Sequence, residues 1–184
     1  MSQNPFEIDK RKIAVVGNSN SEAGLGRGKI IDRFDIVIRF NNFVAGGDYA
    51  TDYGTKCNAW SSSFDTSIRP RLEEFEFNLC PLPMNDEHYR KTLYTYYNDP
   101  LLESIKPLFI PMDFYKELEK FIPRPSTGLA MLWWLFKVHG KLPRENIFGF
   151  AFFSKEVKHH YFDSFSRTFH DGNAEKSIFM DMTE

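Results

Sequence analysis

The sequence predicts an α/β sandwich around a mostly parallel sheet, and three observations carry that prediction. Short apolar runs end abruptly at small polar residues: Ile13-Ala14-Val15-Val16 stops at Gly17-Asn18-Ser19, Asp35 to Phe40 at Asn41-Asn42, and Lys56 to Trp60 at Ser61-Ser62-Ser63. Continuous runs of this length read as parallel strands buried on both faces. Helical patterns alternate with them, as crossover connections do. Finally, Leu129 to Phe136 is apolar all round a helix, so that helix must be buried against the sheet.

A chain of 184 residues can bury the core of one domain and is short for two, so one domain across residues 1–184 is expected. The net charge of -2, with both signs interspersed, offers no basic stripe for nucleic acid and points to a small partner. The 19 phenylalanines suit a dense core and stacking surfaces for a planar ligand. Cys57 and Cys80 form neither a disulfide framework nor a zinc pattern, which fits a reducing cytoplasm. No run approaches the roughly 20 apolar residues needed to span a bilayer, and Met1 to Lys12 is polar, so neither a transmembrane segment nor a signal peptide is expected.

The first strand, Ile13 to Val16, feeds a loop whose small residues bring backbone close to a ligand, since ligands of open α/β sheets bind at such strand ends. Gly24, Gly26 and Gly28 follow without a dinucleotide fingerprint and read as a flexible phosphate or substrate loop. With Asn41 and the Ser61 to Ser63 run, the strand ends form a rim of neutral donors and acceptors fit for a sugar or nucleoside. A polar residue that merely starts a turn is the plainer account of any one of them. The middle predicts a short helix from Arg71 to Phe77, a strand end at Asn78 to Cys80, and a helix from Asn85 to Tyr97 carrying an exposed His88. A short strand at Pro107 to Ile110 and a helix from Asp113 to Phe121 follow.

Arg124-Pro125-Ser126-Thr127-Gly128 then opens the apolar helix. Ser126 and Thr127 are good N-cap residues, Gly128 lets a ligand approach backbone, and the first amides with the helix dipole form a seat for an anion or a hydroxyl. An ordinary capped core helix explains the same letters. His139-Gly140 supplies the stop, and Asn146 to Phe152 reads as a further strand. Behind it lie His159-His160-Tyr161 and His170-Asp171, with Glu175 placed to orient His170. Imidazoles near a polar strand-end rim are candidates for acid and base work, although Asp171 as a helix cap is the plainer account of its own position. As a metal site the cluster is poor, because no Cys-x-x-Cys or His-x-x-x-His accompanies it.

Taken together, these residues resemble the Golgi-type sialyltransferase family (glycosyltransferase family 29). Val15 to Ser19, Gly24-Leu25-Gly26, Ile31-Asp32, Phe34-Asp35, Val37 to Asn41 and Asp52 to Lys56 are similar to its large sialylmotif. Pro125 to Gly128 with Ile147 to Phe150 looks like the small motif, His160 to Asp163 like motif III, and His170 with Glu175 like the very small motif. All four occur in the family's order.

The resemblance implies a Rossmann-like three-layer α/β/α sandwich, a GT-A-like variant, and an inverting glycosyltransferase that moves sialic acid from a CMP-sugar donor to a glycan acceptor hydroxyl. It implies that Asn18, Ser19 and Asn41 contact the nucleotide, and that Ser126, Thr127, Gly128 and Tyr161 complete donor binding. His160 would steady the departing phosphate, His170 would act as base, and Glu175 would support it. No cofactor and no metal is expected: the chain has no Asp-x-Asp, and a nucleoside monophosphate can leave against histidine and helix-end amides.

The sequence also departs from the family. The family's cysteine before the first strand is replaced by Lys12, its partner in the small motif has no counterpart, and the anchor and stem have none either. This suggests a soluble cytoplasmic version serving polysaccharide biosynthesis in a microbe, with membrane contact only through a lipid-linked acceptor. Two alternatives stay open: a CMP-Kdo-type transferase, because both acidic sugars present a carboxylate beside the reacting carbon, and a non-catalytic CMP or CMP-sugar binding module whose shortened tail has lost turnover. An unrelated Rossmann-like enzyme is a third.

Overall fold

Among the described residues six short strands, all parallel, form one sheet with helices on both faces. The structure, a computed structural model, describes residues 7–64, 68, 71, 75–81, 108–154, 157–164 and 170–184. The strands are β1 (Ile13–Val16), β2 (Ile36–Phe40), β3 (Ala59–Ser61), β4 (Phe77–Cys80), β5 (Leu108–Phe109) and β6 (Ile147–Phe148). The α-helices among the described residues are α1 (Gly28–Ile31), α2 (Ala50–Tyr53), α3 (Met112–Glu119), α4 (Thr127–His139) and α5 (Gly172–Met182).

Strand order is β5-β4-β3-β2-β1-β6. The chain steps outward from β1 to β5 and then returns to lay β6 on the other side of β1, pairing Val15 with Ile147 and Val16 with Phe148. In open parallel sheets a reversal of this kind leaves a crevice at the carboxyl ends of the strands that flank it.

Alternation along β1 and β2 divides the core. Ile13, Val15, Ile36, Ile38 and Phe40 pack with Leu118 of α3, Leu129, Met131, Leu132 and Leu135 of α4, and Phe179 of α5. On the opposite face Ala14, Val16 and Val37 pack with Ile31 of α1, Tyr53 of α2 and Phe148. The result is the expected three-layer Rossmann-like sandwich. In α4 every residue from Leu129 to Leu135 is buried, as an all-apolar helix requires. It ends at Gly140, whose φ of 74° is the left-handed stop expected after His139.

Several expectations need correction. β3 begins at Ala59 rather than Lys56, because Asp32 accepts the Lys56 amide at 2.9 Å and Asn58 Oδ1 accepts the Val37 amide at 3.1 Å. The strand read from Asn146 to Phe152 is confined to Ile147–Phe148. Gly149, Phe152 and Phe153 have φ of 69°, 48° and 55°, and the left-handed region is incompatible with a strand. Phe77 opens β4 rather than closing a helix, and the expected helix at 85–97 with His88 lies outside the described residues.

Candidate functional site

The crevice holds a cavity of about 150 Å³ bounded by the ends of β1, β2 and β6 and by the amino end of α4. Its floor is main chain. The Gly17 amide donates to Phe148 O at 2.8 Å and the Ser19 amide to Gly149 O at 3.0 Å. A Cβ on either Gly17 or Gly149 would overlap the other's carbonyl oxygen, so both positions require glycine. The Gly149 amide is received by the buried Glu22 carboxylate at 3.1 Å.

Two strand ends supply polar groups. Asn18 donates through Nδ2 to Phe40 O at 3.1 Å, while its Oδ1 is buried with no hydrogen-bond partner. An orphaned acceptor on a cavity wall is costly unless a ligand donor meets it. Asn41, with φ of 48°, accepts the Ser63 amide at 3.0 Å through Oδ1 and the Trp60 indole at 2.9 Å through its carbonyl. Asn18, Ser19 and Asn41 line the cavity; the serines after β3 do not.

The α4 wall is built around a buried carboxylate. Ser126 caps the helix by accepting the Leu129 amide through Oγ at 3.2 Å. Glu175, 2% exposed, receives the Ser126 amide at 2.7 Å and the Ser126 hydroxyl at 2.8 Å. Burial raises its carboxyl pKa, with the two Ser126 bonds opposing that rise. The helical ladder starts at the Ala130 amide, so Thr127 and Gly128 carry the amides that it leaves over. Gly128 has a packing reason as well: a Cβ there would stand 2.8 Å from the Phe150 ring.

The opposite wall comprises Gly149 to Phe153 and Lys158-His159-His160. The Lys158 amide donates to Asn20 Oδ1 at 3.0 Å, and the Asn20 amide donates to Lys158 O at 3.1 Å. His160 turns its Nδ1 to Asp163 at 3.0 Å, leaving its ring along the cavity and stacked on Phe162.

The remaining expected residues lie elsewhere. His170 does not line the cavity but borders it: its ring stacks on the lining residue Phe153 at 5.2 Å, and its Nδ1 lies 2.9 Å from Arg124 O. That carbonyl can only accept, which puts the Nδ1 proton toward it and the basic lone pair of the neutral ring on Nε2. Glu175 takes the amide and hydroxyl of Ser126, and the charge of His170 also acts on its carboxyl, lowering its pKa against the rise from burial. Asp171 caps α5, accepting the Asn173 and Ala174 amides at 3.1 Å. Tyr161 turns its ring away from the cavity onto Tyr53. The Gly24 and Gly26 amides, expected to face a phosphate, both donate at 2.8 Å to Asp52. Those bonds lower the Asp52 pKa.

Residues missed from the sequence are Lys158 and Phe150 to Phe153. Their signal was available: they follow the strand that flanks the reversal, where ligands of such sheets bind.

Comparison with known proteins bears on this geometry. Residues 2–79 match the family described as glycosyltransferase family 29 (sialyltransferase). Over that stretch the chain is similar to glycosyltransferase family 29. The chain is 27% identical to CMP-N-acetylneuraminate-beta-galactosamide-alpha-2,3-sialyltransferase 1 of Sus scrofa, over 93% of its own length and 55% of that protein. A stretch of 46 residues is 52% identical to sialyltransferase-like protein 2 of Oryza sativa subsp. indica, covering 25% of this chain and 11% of the relative. The crystal structure of a mammalian sialyltransferase in complex with Gal-beta-1-3GalNAc-ortho-nitrophenol superposes with a TM-score of 0.67. That match covers 96% of this chain and 69% of the other at 23% identity, a likeness of fold. The chain spans about half the length of the Sus scrofa relative. Among the described residues no helix is long and apolar enough to cross a membrane.

Proposed function

We propose that the chain transfers sialic acid from CMP-sialic acid to a hydroxyl of a glycan acceptor, with inversion and without a metal ion. The observation that supports this most is the convergence of the α4 amino end and the Lys158-to-His160 segment on one cavity at the sheet's reversal. In this reading Asn18 Oδ1 accepts from the cytosine or ribose, and the Thr127 and Gly128 amides receive an oxyanion of the donor. His160 meets the departing phosphate. A nucleoside monophosphate carries less charge than a diphosphate and can leave against imidazole and helix-end amides. His170 Nε2 takes the acceptor proton while the hydroxyl oxygen attacks the anomeric carbon opposite the departing CMP. The oxocarbenium-like state must be favoured over the ground state for this arrangement to accelerate transfer. Cys57 and Cys80 are both thiols, which suits work in a reducing compartment such as the cytoplasm.

The test is calorimetric binding of CMP together with transfer from CMP-sialic acid and from CMP-Kdo, each with and without chelator. Expected are CMP binding, preference for CMP-sialic acid and no loss with chelator. His170→Ala should keep CMP affinity within about threefold and reduce transfer at least about 100-fold, the range of a lost general base. Absence of CMP binding would overturn the reading as a whole, chelator sensitivity its metal-free part, and equal loss of binding and transfer the role given to His170.

A further inference from the structure

The segment 157–164 has no regular secondary structure, yet it carries Lys158, His159 and His160 along the cavity. What holds it is buried on the far side of the sheet's end. The Tyr161 ring stacks on Tyr53 of α2 with centroids 3.7 Å apart and planes 18° from parallel, and Tyr49 meets it edge-on at 5.0 Å. The Tyr161 hydroxyl donates to Val44 O, and its amide donates to Asn18 O at 2.9 Å. Through ring, hydroxyl and amide the residue touches α2, the loop after β2 and the loop after β1.

Arg39 of β2 completes the junction. It has no exposed surface, its Nε and Nη2 donate to the carbonyls of Lys56 and Tyr53, and its Nη1 has no hydrogen-bond partner. Burial pushes the guanidinium pKa down, and the Tyr161 oxygen is foremost among the groups opposing that fall. Burial also pushes the Tyr161 phenol up, so it remains a neutral donor near neutral pH.

We propose that Tyr161 is a positioning residue: a peg whose stack on Tyr53 and hydroxyl bond to the Val44 carbonyl seat the 157–164 segment and thereby set His160 and Lys158 on the cavity wall. This rests on the reading of the cavity as a CMP-sugar site. A donor-contacting tyrosine would have its ring in the cavity; this one is held one layer behind it.

The experiment compares Tyr161→Phe, which keeps the stack and loses the hydroxyl, with Tyr161→Leu, which loses both. The readouts are amide hydrogen exchange, CMP affinity and the kcat and KM of transfer. In Tyr161→Leu the amides of Lys158 and Tyr161 should exchange at least about tenfold faster while those of β1 and β2 hold, because the opening is local. Displacing His160 should lower kcat by about 30-fold, the scale of an ångström's misplacement, with a smaller change in CMP affinity. Tyr161→Phe should recover most of this, remaining within about fivefold of the parent, as one lost hydrogen bond implies. Unchanged exchange in Tyr161→Leu, or a fall in CMP affinity with exchange unchanged, would overturn the proposal. If Tyr161→Leu unfolds the sheet, Tyr49→Ala removes the edge-on contact alone and must speed exchange in 157–164 selectively, or the proposal fails. Failure of the parent protein to bind CMP would overturn the reading of the cavity and leave the exchange result to judge the peg.

Discussion

The cavity has a helical wall and a looped wall, and the two are held in different ways. At the amino end of α4, Ser126 to Gly128 are placed by a capped apolar helix, and the Glu175 carboxylate ties that end to α5. Facing it, Gly149 to Phe153 are placed by left-handed backbone at Gly149, Phe152 and Phe153, and 157–164 by bonds to the loop after β1 and by Tyr161. The helical wall rests on local propensity reinforced by one polar link; the looped wall rests on contacts between residues far apart in sequence. Local propensity survives the loss of single contacts better, so the two walls should fail differently.

The sharpest way to break this contrast is Gly149→Ala. A methyl there meets the Gly17 carbonyl in a backbone conformation that alanine resists, and we expect a loss of about 3 kcal/mol or more by urea denaturation. A loss below about 1 kcal/mol would show that the looped wall yields after all.

The helical wall is probed by Glu175→Ala, which leaves the buried Ser126 amide and hydroxyl without their acceptor; the expected loss is about 2–3 kcal/mol in the same assay. Its pH dependence has a definite sign. Because burial raises the folded pKa of Glu175 above the ordinary 4.5, its protonated form contributes stability that is full below that value and is lost as pH rises through the folded pKa. Glu175→Gln should flatten that part of the curve. An opposite slope difference would mean that the Ser126 bonds outweigh burial. The smallest expected effect is that of Asp171→Ala, which removes the cap of α5 and should cost about 1 kcal/mol, read from the thermal midpoint.

The same contrast governs what could be read from the sequence. Ile13–Val16 and the helix from Thr127 to His139, with its Ser126 cap and Gly140 stop, were legible because their signals are local. The looped wall was misread as a strand because Phe148, Phe150 and Phe152 alternate as strand residues do. The glycine at 149 was the sign that this pattern breaks. Asn18, Ser19 and Asn41 were found because the strands before them end so plainly. Glu175 was picked out, but nothing in the spacing of His170 and Glu175 tells that Ser126, 49 residues earlier, would also bond to the carboxylate. The Gly24 and Gly26 amides were misassigned for the same reason: their acceptor, Asp52, lies far along the chain on α2.

The backbone-to-backbone meeting of Gly17 and Gly149 also bears on how such a cavity could diversify. Its base cannot be widened by exchanging side chains, because there are none to exchange. Phe150 and Phe152 also pack on the core, so variation in what the cavity accepts must come from the outer rim, above all from Phe153 and Lys158. A library randomised at those positions would retain its scaffold, whereas one that includes the two glycines would consist largely of misfolded chains.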